Sequence, residues 1–173
     1  IEGASLRAIA REAGYTPGAL YAYYASKEEL YADILRRSLA RLEAAVRAGA
    51  KGPPAQALAG AVRGFWRFYR DNPEELSLSL YVSRGLGPKG LTPKLDRELN
   101  EKLQGALDAI RQQLGLLAPR LPGASLERHT RALLSAVMGV LLLAHTGRLK
   151  TLGGGGDALV EHHIALTLAA LKP

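Results

Sequence analysis

Thr16, Tyr21, Tyr23 and Lys27 place three hydroxyls and one ammonium group around the dipeptide Gly18-Ala19. Each can donate a hydrogen bond to a phosphate oxygen, and such contacts fix a protein on a nucleic-acid backbone. Gly18 and Ala19 add almost no side-chain bulk. A helix enters the major groove only where its leading residues let the backbone come close to the base edges. The chemistry these residue types allow is recognition of a polyanion rather than bond making.

Local sequence signals set the elements that must hold these groups. Ser5 is a helix N-cap, and Leu6, Ile9, Ala10 and Ala13 follow at helical spacing as one apolar stripe. Gly14 ends that helix, since glycine takes the left-handed closing position at no steric cost. Thr16 caps a second, very short helix with Pro17 at its first position and Leu20 as its buried anchor. Ser26-Lys27-Glu28-Glu29 is a capping box. The long helix it starts carries Leu30, Ile34, Leu35, Leu39, Leu42 and Val46 on its inner side. Two helices, a glycine turn and a capped third helix are the pattern of a helix-turn-helix. Spacing alone also fits three helices of an ordinary bundle. The free N–H groups at the starts of the second and third helices suit phosphate.

The stretch AIAREAGYTPGALYAYYASKEEL resembles the DNA-binding signature of the TetR/AcrR family of bacterial transcription regulators. Ile9, Ala10, Ala13, Gly14, Thr16, Gly18, Leu20, Tyr21, Tyr23, Ser26, Lys27, Glu28 and Leu30 fall on that signature, with Tyr24 in place of the usual Phe. The resemblance implies that Pro17, Gly18 and Ala19 lie against base edges and that Thr16, Tyr21, Tyr23 and Lys27 hold phosphates. It also implies a further helix ahead of Gly3-Ala4-Ser5. The chain begins at Ile1, so the DNA-binding unit is expected to lack part of its core.

Composition bounds the remaining possibilities. The 173 residues can bury a real core, and 47% hydrophobic with 23% charged residues is the balance of a globular chain. With no cysteine, disulfide and thiolate chemistry are excluded. No run approaches the roughly 18 apolar residues of a membrane span, and a cytoplasmic location is expected. The net charge of +7 permits a polyanionic partner. Residues 1–50 hold seven Lys/Arg against six Asp/Glu, so the charge does not locate a DNA surface.

Beyond Gly52-Pro53-Pro54 the spacing predicts five helices, over about 54–70, 73–84, 92–117, 126–149 and 157–171. Phe65, Trp66, Phe68 and Tyr69, with Tyr81 on the next helix, form an aromatic group that can line an effector pocket or simply fill a core. On the helix over 126–149, Ala132, Ala136, Gly139, Leu143 and Gly147 share one face of mostly small residues. Together with Ala158, Ala165 and Ala169 they suit a close helix-to-helix seam, either within the chain or between two copies as a four-helix dimer interface. Family resemblance favours the dimer. The other face, Ser135, Met138, Leu142 and His145, is then expected to turn toward the aromatic group, with His145 as a polar contact. Adjacent His162 and His163 point about 100° apart and do not share a metal easily. The segments GLGPKG (85–90) and Gly153–Gly156 lack the order of a phosphate-binding loop. Lys89, Lys94 and Arg97 would suit the phosphates of an acyl-CoA-like effector, or form a solvated basic face.

The expected fold is all-α, with a helix-turn-helix domain over 1–48 and a helical effector-binding and dimerisation domain over 53–173. The expected function is ligand-responsive transcription regulation. In its usual sense a homodimeric repressor leaves a palindromic double-stranded operator when a small hydrophobic effector binds. No constellation of acids, bases or metal ligands points to an enzyme, and no cofactor is expected. A protein-interaction module with a vestigial DNA-binding end is the reading from another class.

Overall fold

The computed structural model describes residues 5–84 and 91–171, the side chains of 81–84 apart. Among the described residues the chain forms nine helices and no strand. These are α1 (Leu6–Glu12), α2 (Pro17–Tyr21), α3 (Lys27–Gly49), α4 (Pro54–Asp71), α5 (Pro73–Arg84), α6 (Pro93–Leu117), α7 (Gly123–His145), α8 (Arg148–Thr151) and α9 (Gly156–Ala170). Helix α3 leaves the small N-terminal unit, packs along α4 and α6, and also touches α5. Helix α7 packs on α4, α6 and α9, and closes the bundle.

The core is continuous from Tyr31, Leu35, Leu39, Leu42 and Val46 of α3, through Leu58, Val62, Phe65, Trp66 and Tyr69 of α4, to Ile110 and Leu114 of α6 and Val137 and Leu141 of α7. The predicted inner side of α3 holds except at two positions. Ile34 is 43% exposed, and Leu30 is only half-buried. One residue is about 100° of helix rotation, so Ile34 stands well off the line of Leu35, Leu39 and Leu42.

Helices α3 and α4 meet at backbone distance. A Cβ on Gly49 or on Gly60 would fall on the other residue's carbonyl oxygen, and one on Gly64 would lie 2.5 Å from the Ala45 carbonyl oxygen. These glycines are required by close approach rather than by a turn.

Two helix limits differ from the sequence expectation. The helix predicted over 126–149 starts at Gly123, ends at His145, and is followed by the separate turn α8. The Thr146 hydroxyl donates to the Leu142 carbonyl at 2.7 Å, and Gly147 takes a left-handed φ of 72°, so the chain breaks there. The last helix starts at Gly156 with Gly155 as its N-cap, so Asp157 lies in its first turn. The Asp157 carboxylate accepts hydrogen bonds from Trp66 Nε1 and Arg70 Nη1, both at 2.8 Å, which satisfies the indole N–H inside the bundle.

Gly64→Ala is expected to destabilise the fold by overpacking, about 1–3 kcal/mol. Thermal denaturation monitored by circular dichroism should show a lower Tm, whereas an unchanged Tm would mean that α3 and α4 can part at this seam without cost.

Candidate functional site

The site rises from three side-chain caps that the sequence places in the first 26 residues. Ser5 Oγ accepts from the Ala8 N–H at 3.1 Å, Thr16 Oγ1 from the Ala19 N–H at 3.3 Å, and Ser26 Oγ from the Glu29 N–H at 3.2 Å. Glu29 completes the box by accepting from the Ala25 N–H at 2.9 Å, one residue earlier than the usual partner. Gly14 has φ 76° between α1 and α2, the left-handed conformation that the turn needs. α1 and α2 pack on each other.

Helix α2 turns outward. None of its five residues is buried, and even Leu20, expected as an anchor, is only half-buried. Thr16, Gly18, Ala19, Tyr21 and Tyr23 are all exposed, Tyr21 by 49% and Tyr23 by 82%. Pro17 and Lys27 are half-buried. A Cβ on Gly18 would meet nothing within 4 Å, so no internal contact demands glycine there. Glycine inside a helix costs about 1 kcal/mol relative to alanine. Its effect at this position is to bare the backbone toward the outside.

Tyr24, which stands where the resembling family has Phe, uses the extra hydroxyl. It donates to Asp33 Oδ2 at 2.9 Å, and Arg37 Nη2 lies 3.0 Å from the same oxygen. The hydrogen bond to Asp33 pushes the Tyr24 phenol above its ordinary pKa. This link ties the turn after α2 to the second turn of α3, and so sets where the exposed Tyr21 and Tyr23 stand. Tyr15, 64% exposed beside the cap Thr16, belongs with the candidate contacts by position and exposure. Sequence reading passes over it because an aromatic next to a helix-ending glycine looks like core. The α1 stripe divides as well: Leu6 and Ala10 are buried, while Ile9 and Ala13 face an open cleft of about 490 Å³ together with Ala8 and Glu12.

The predicted effector residues do not gather in one place. Phe65 and Trp66 are interior packing at 3% and 2% exposure. Tyr69 and His145 share an open cavity of about 320 Å³ with Arg70, Pro73, Leu76, Leu141 and Ala144. His145 Nε2 lies 3.2 Å from Ser77 Oγ, and burial pushes the Tyr69 phenol up to about 12. Met138 is half-buried, Ser135 and His145 are exposed, and Leu142 is 41% exposed. The expected inward turn is corrected for Ser135 and Leu142, which are exposed, while Met138 packs partly buried against the core and His145 meets Tyr69 at the cavity; Leu133, Val137, Val140 and Leu141 fill the inner line. The arc through Ser135 and Leu142 is left to the surface. The Tyr81 side chain and Lys89 lie outside the described residues; Lys94 and Arg97 are exposed.

Of the small-residue face, Ala132, Ala165 and Ala169 are exposed, while Ala136, Gly139 and Leu143 are half-buried. Gly147 falls beyond the end of α7, so it does not continue that face. No group of three or more metal-ligating side chains occurs among the described residues. No helix among them is long and apolar enough to cross a membrane.

Polar ties hold α3 to the rest of the bundle. Arg36 donates to Glu98 of α6 through Nε at 2.5 Å and Nη2 at 3.3 Å. That hydrogen-bonded guanidinium holds the Glu98 carboxyl below the ordinary carboxylate range. Arg41 pairs with Glu75 of α5, and the Tyr31 hydroxyl donates to the Leu78 carbonyl oxygen of α5.

Residues 1–34 match a family described as bacterial regulatory proteins, tetR family. Among solved structures the chain is similar to PfmR, a TetR family transcriptional regulator from Thermus thermophilus. The identity is 22% and the TM-score 0.72, over 99% of this chain and 91% of that one. It is similar also to a protein with unknown function from Rhodococcus sp. RHA1, at 20% identity and a TM-score of 0.77, over 100% of this chain and 87% of that one. At these identities the likeness is one of fold. A search of curated proteins gives no match.

Ser26→Ala should remove the cap of α3 and cost about 1 kcal/mol. A chemical denaturation curve should show the lower midpoint, and Ser26→Asp, which restores an acceptor, should recover most of it.

Proposed function

We propose that this chain, whose residues 1–34 match the tetR family of bacterial regulatory proteins, is a DNA-binding transcription regulator of that family and a homodimeric repressor released from a palindromic operator by a small, largely hydrophobic effector. Residues 1–48 bind DNA in this reading, and residues 53–173 bind the effector and the second copy. The observation that carries it is the outward surface of α2: no residue of the helix is buried, and a glycine stands where nothing inside the protein needs one. Pro17, Gly18 and Ala19 approach base edges, while Thr16, Tyr21, Tyr23 and Lys27 hold phosphates on either side. The Thr16 hydroxyl keeps its proton for a phosphate, because its cap bond uses only a lone pair.

A twofold dimer must present two such helices about 34–36 Å apart, or a multiple of that, to reach successive major grooves. The exposed Ala132, Ala165 and Ala169, with half-buried Ala136, Gly139 and Leu143, support α7 and α9 as the face where a second copy docks. An effector acts by preferring one spacing of the two α3 helices over another, and lowers operator affinity by that difference alone.

The test is a fluorescence-anisotropy titration of the full-length protein against duplexes from beside its own gene. One palindromic fragment should bind in preference to the rest. Its affinity should fall steeply with salt, with a slope that Lys27→Ala reduces by about one. Equal binding to every fragment would sink the reading. Gly18→Ala separates function from fold within this reading: it should stabilise the protein by up to about 1 kcal/mol while weakening operator binding at least several-fold. Unchanged operator affinity in this variant would mean that α2 does not approach DNA by its backbone.

A further inference from the structure

A second cavity of about 180 Å³ lies between α3, α5 and α6. Leu35 and Leu39 of α3 form one wall, and Leu99 and Leu103 of α6 another. It differs in one decisive respect from the larger cavity around Tyr69 and His145, which no residue of α3 lines. A ligand shifts an equilibrium only through contacts that differ between its two states. A molecule between Leu35, Leu39 and Leu103 bears directly on the helix that carries the DNA-binding unit. One beside His145 does not.

The polar lining is Ser79, Asp96 and Asn100, and the Ser79 hydroxyl and one Asn100 N–H are already committed. The Ser79 hydroxyl donates to the Leu76 carbonyl at 2.8 Å, and Asn100 Nδ2 donates to Asp96 Oδ2 at 3.3 Å. What remains is mostly lone pairs, those of the Ser79 oxygen, the Asn100 carbonyl and the Asp96 carboxylate, beside one Asn100 N–H. Among the described residues no lysine or arginine is in the lining.

We propose that this cavity is the effector site and that it takes a small aliphatic molecule with a cationic, hydrogen-bond-donating head, of the class of short primary alkylammonium ions. This inference rests on the ligand-responsive reading above and names the ligand class. The aliphatic part lies against the four leucines, and the head donates to Asp96, Asn100 and Ser79. A phosphate-bearing, acyl-CoA-like effector fits poorly: the cavity is small and lined by acceptors, and the exposed Lys94 and Arg97 stand outside the lining.

The experiment uses n-pentylammonium, n-pentanol and n-pentanoate, chains of equal length with cationic, neutral and anionic heads. Each is titrated calorimetrically into the full-length protein, and operator release is followed in parallel by anisotropy. n-Pentylammonium should bind at least tenfold tighter than n-pentanoate. Asp96→Asn, an exposed position that leaves the fold intact, should weaken it at least fivefold. Leu103→Trp, which fills the cavity, should abolish binding. Tighter binding of n-pentanoate, no binding of any of the three, or full binding to Leu103→Trp would overturn the proposal. An operator still bound by the free protein would then leave the regulator reading standing. Loss of all operator preference beside intact, Asp96-dependent n-pentylammonium binding would instead overturn the regulator reading and keep the site.

Discussion

The close crossing of α3 and α4 is the constraint on which the rest of the molecule depends. Gly49, Gly60 and Gly64 let two helix backbones touch, and that contact fixes how α3 lies on the bundle. Van der Waals attraction falls steeply with separation, so a seam with no side chains between backbones is stiff and tolerates little change. Everything N-terminal to it is positioned through α3. The buried Leu35, Leu39, Leu42 and Val46 continue the same contact surface into the core. Toward the N-terminal end the character of the contacts changes. There the salt bridges of Arg36 and Arg41 and the Tyr31 hydroxyl hold the helix to α5 and α6. Such polar ties are partly exposed and exchange more readily with water than a backbone seam does.

The N-terminal unit works on a smaller scale. Its two-helix hairpin buries little beyond Leu6 and Ala10, so caps and turns carry a larger share of its order. Thr16, Ser26, Glu29 and the Tyr24–Asp33 bond fix the start of each helix and its join to the next. A surface built this way can leave its own helix unburied, because its geometry is held at the ends.

Which features the sequence discloses follows from how far apart their partners lie. Caps act over three or four residues, so Ser5, Thr16 and Ser26 could be assigned from neighbours alone, and the end of the first helix at Gly14 likewise. The all-helical class followed from periodicity. Long-range pairings left no local trace: Trp66 with Asp157, Arg36 with Glu98, and Gly60 with Gly49 join residues whose partners only the fold selects. Rotational phase was the weakest inference. Apolar residues on α7 are so frequent that several faces looked equally suited to the interior, and only packing decided for Val137 and Leu141 over Met138 and Leu142. Asp157 illustrates the same limit, since its carboxylate is engaged by a tryptophan 91 positions away.

One consequence of the α3–α4 seam is mechanical. A rod clamped at one end amplifies movement along its length. Leu39 stands about 15 Å from Gly49 along α3 and Lys27 about 33 Å, at 1.5 Å per residue. A sideways push at Leu39 therefore arrives at Lys27 roughly doubled, so long as the helix stays straight and the seam acts as its fulcrum. The glycines at the far end of the helix thus set the gain of the whole chain: how much a displacement in the bundle interior is worth at the surface of α2.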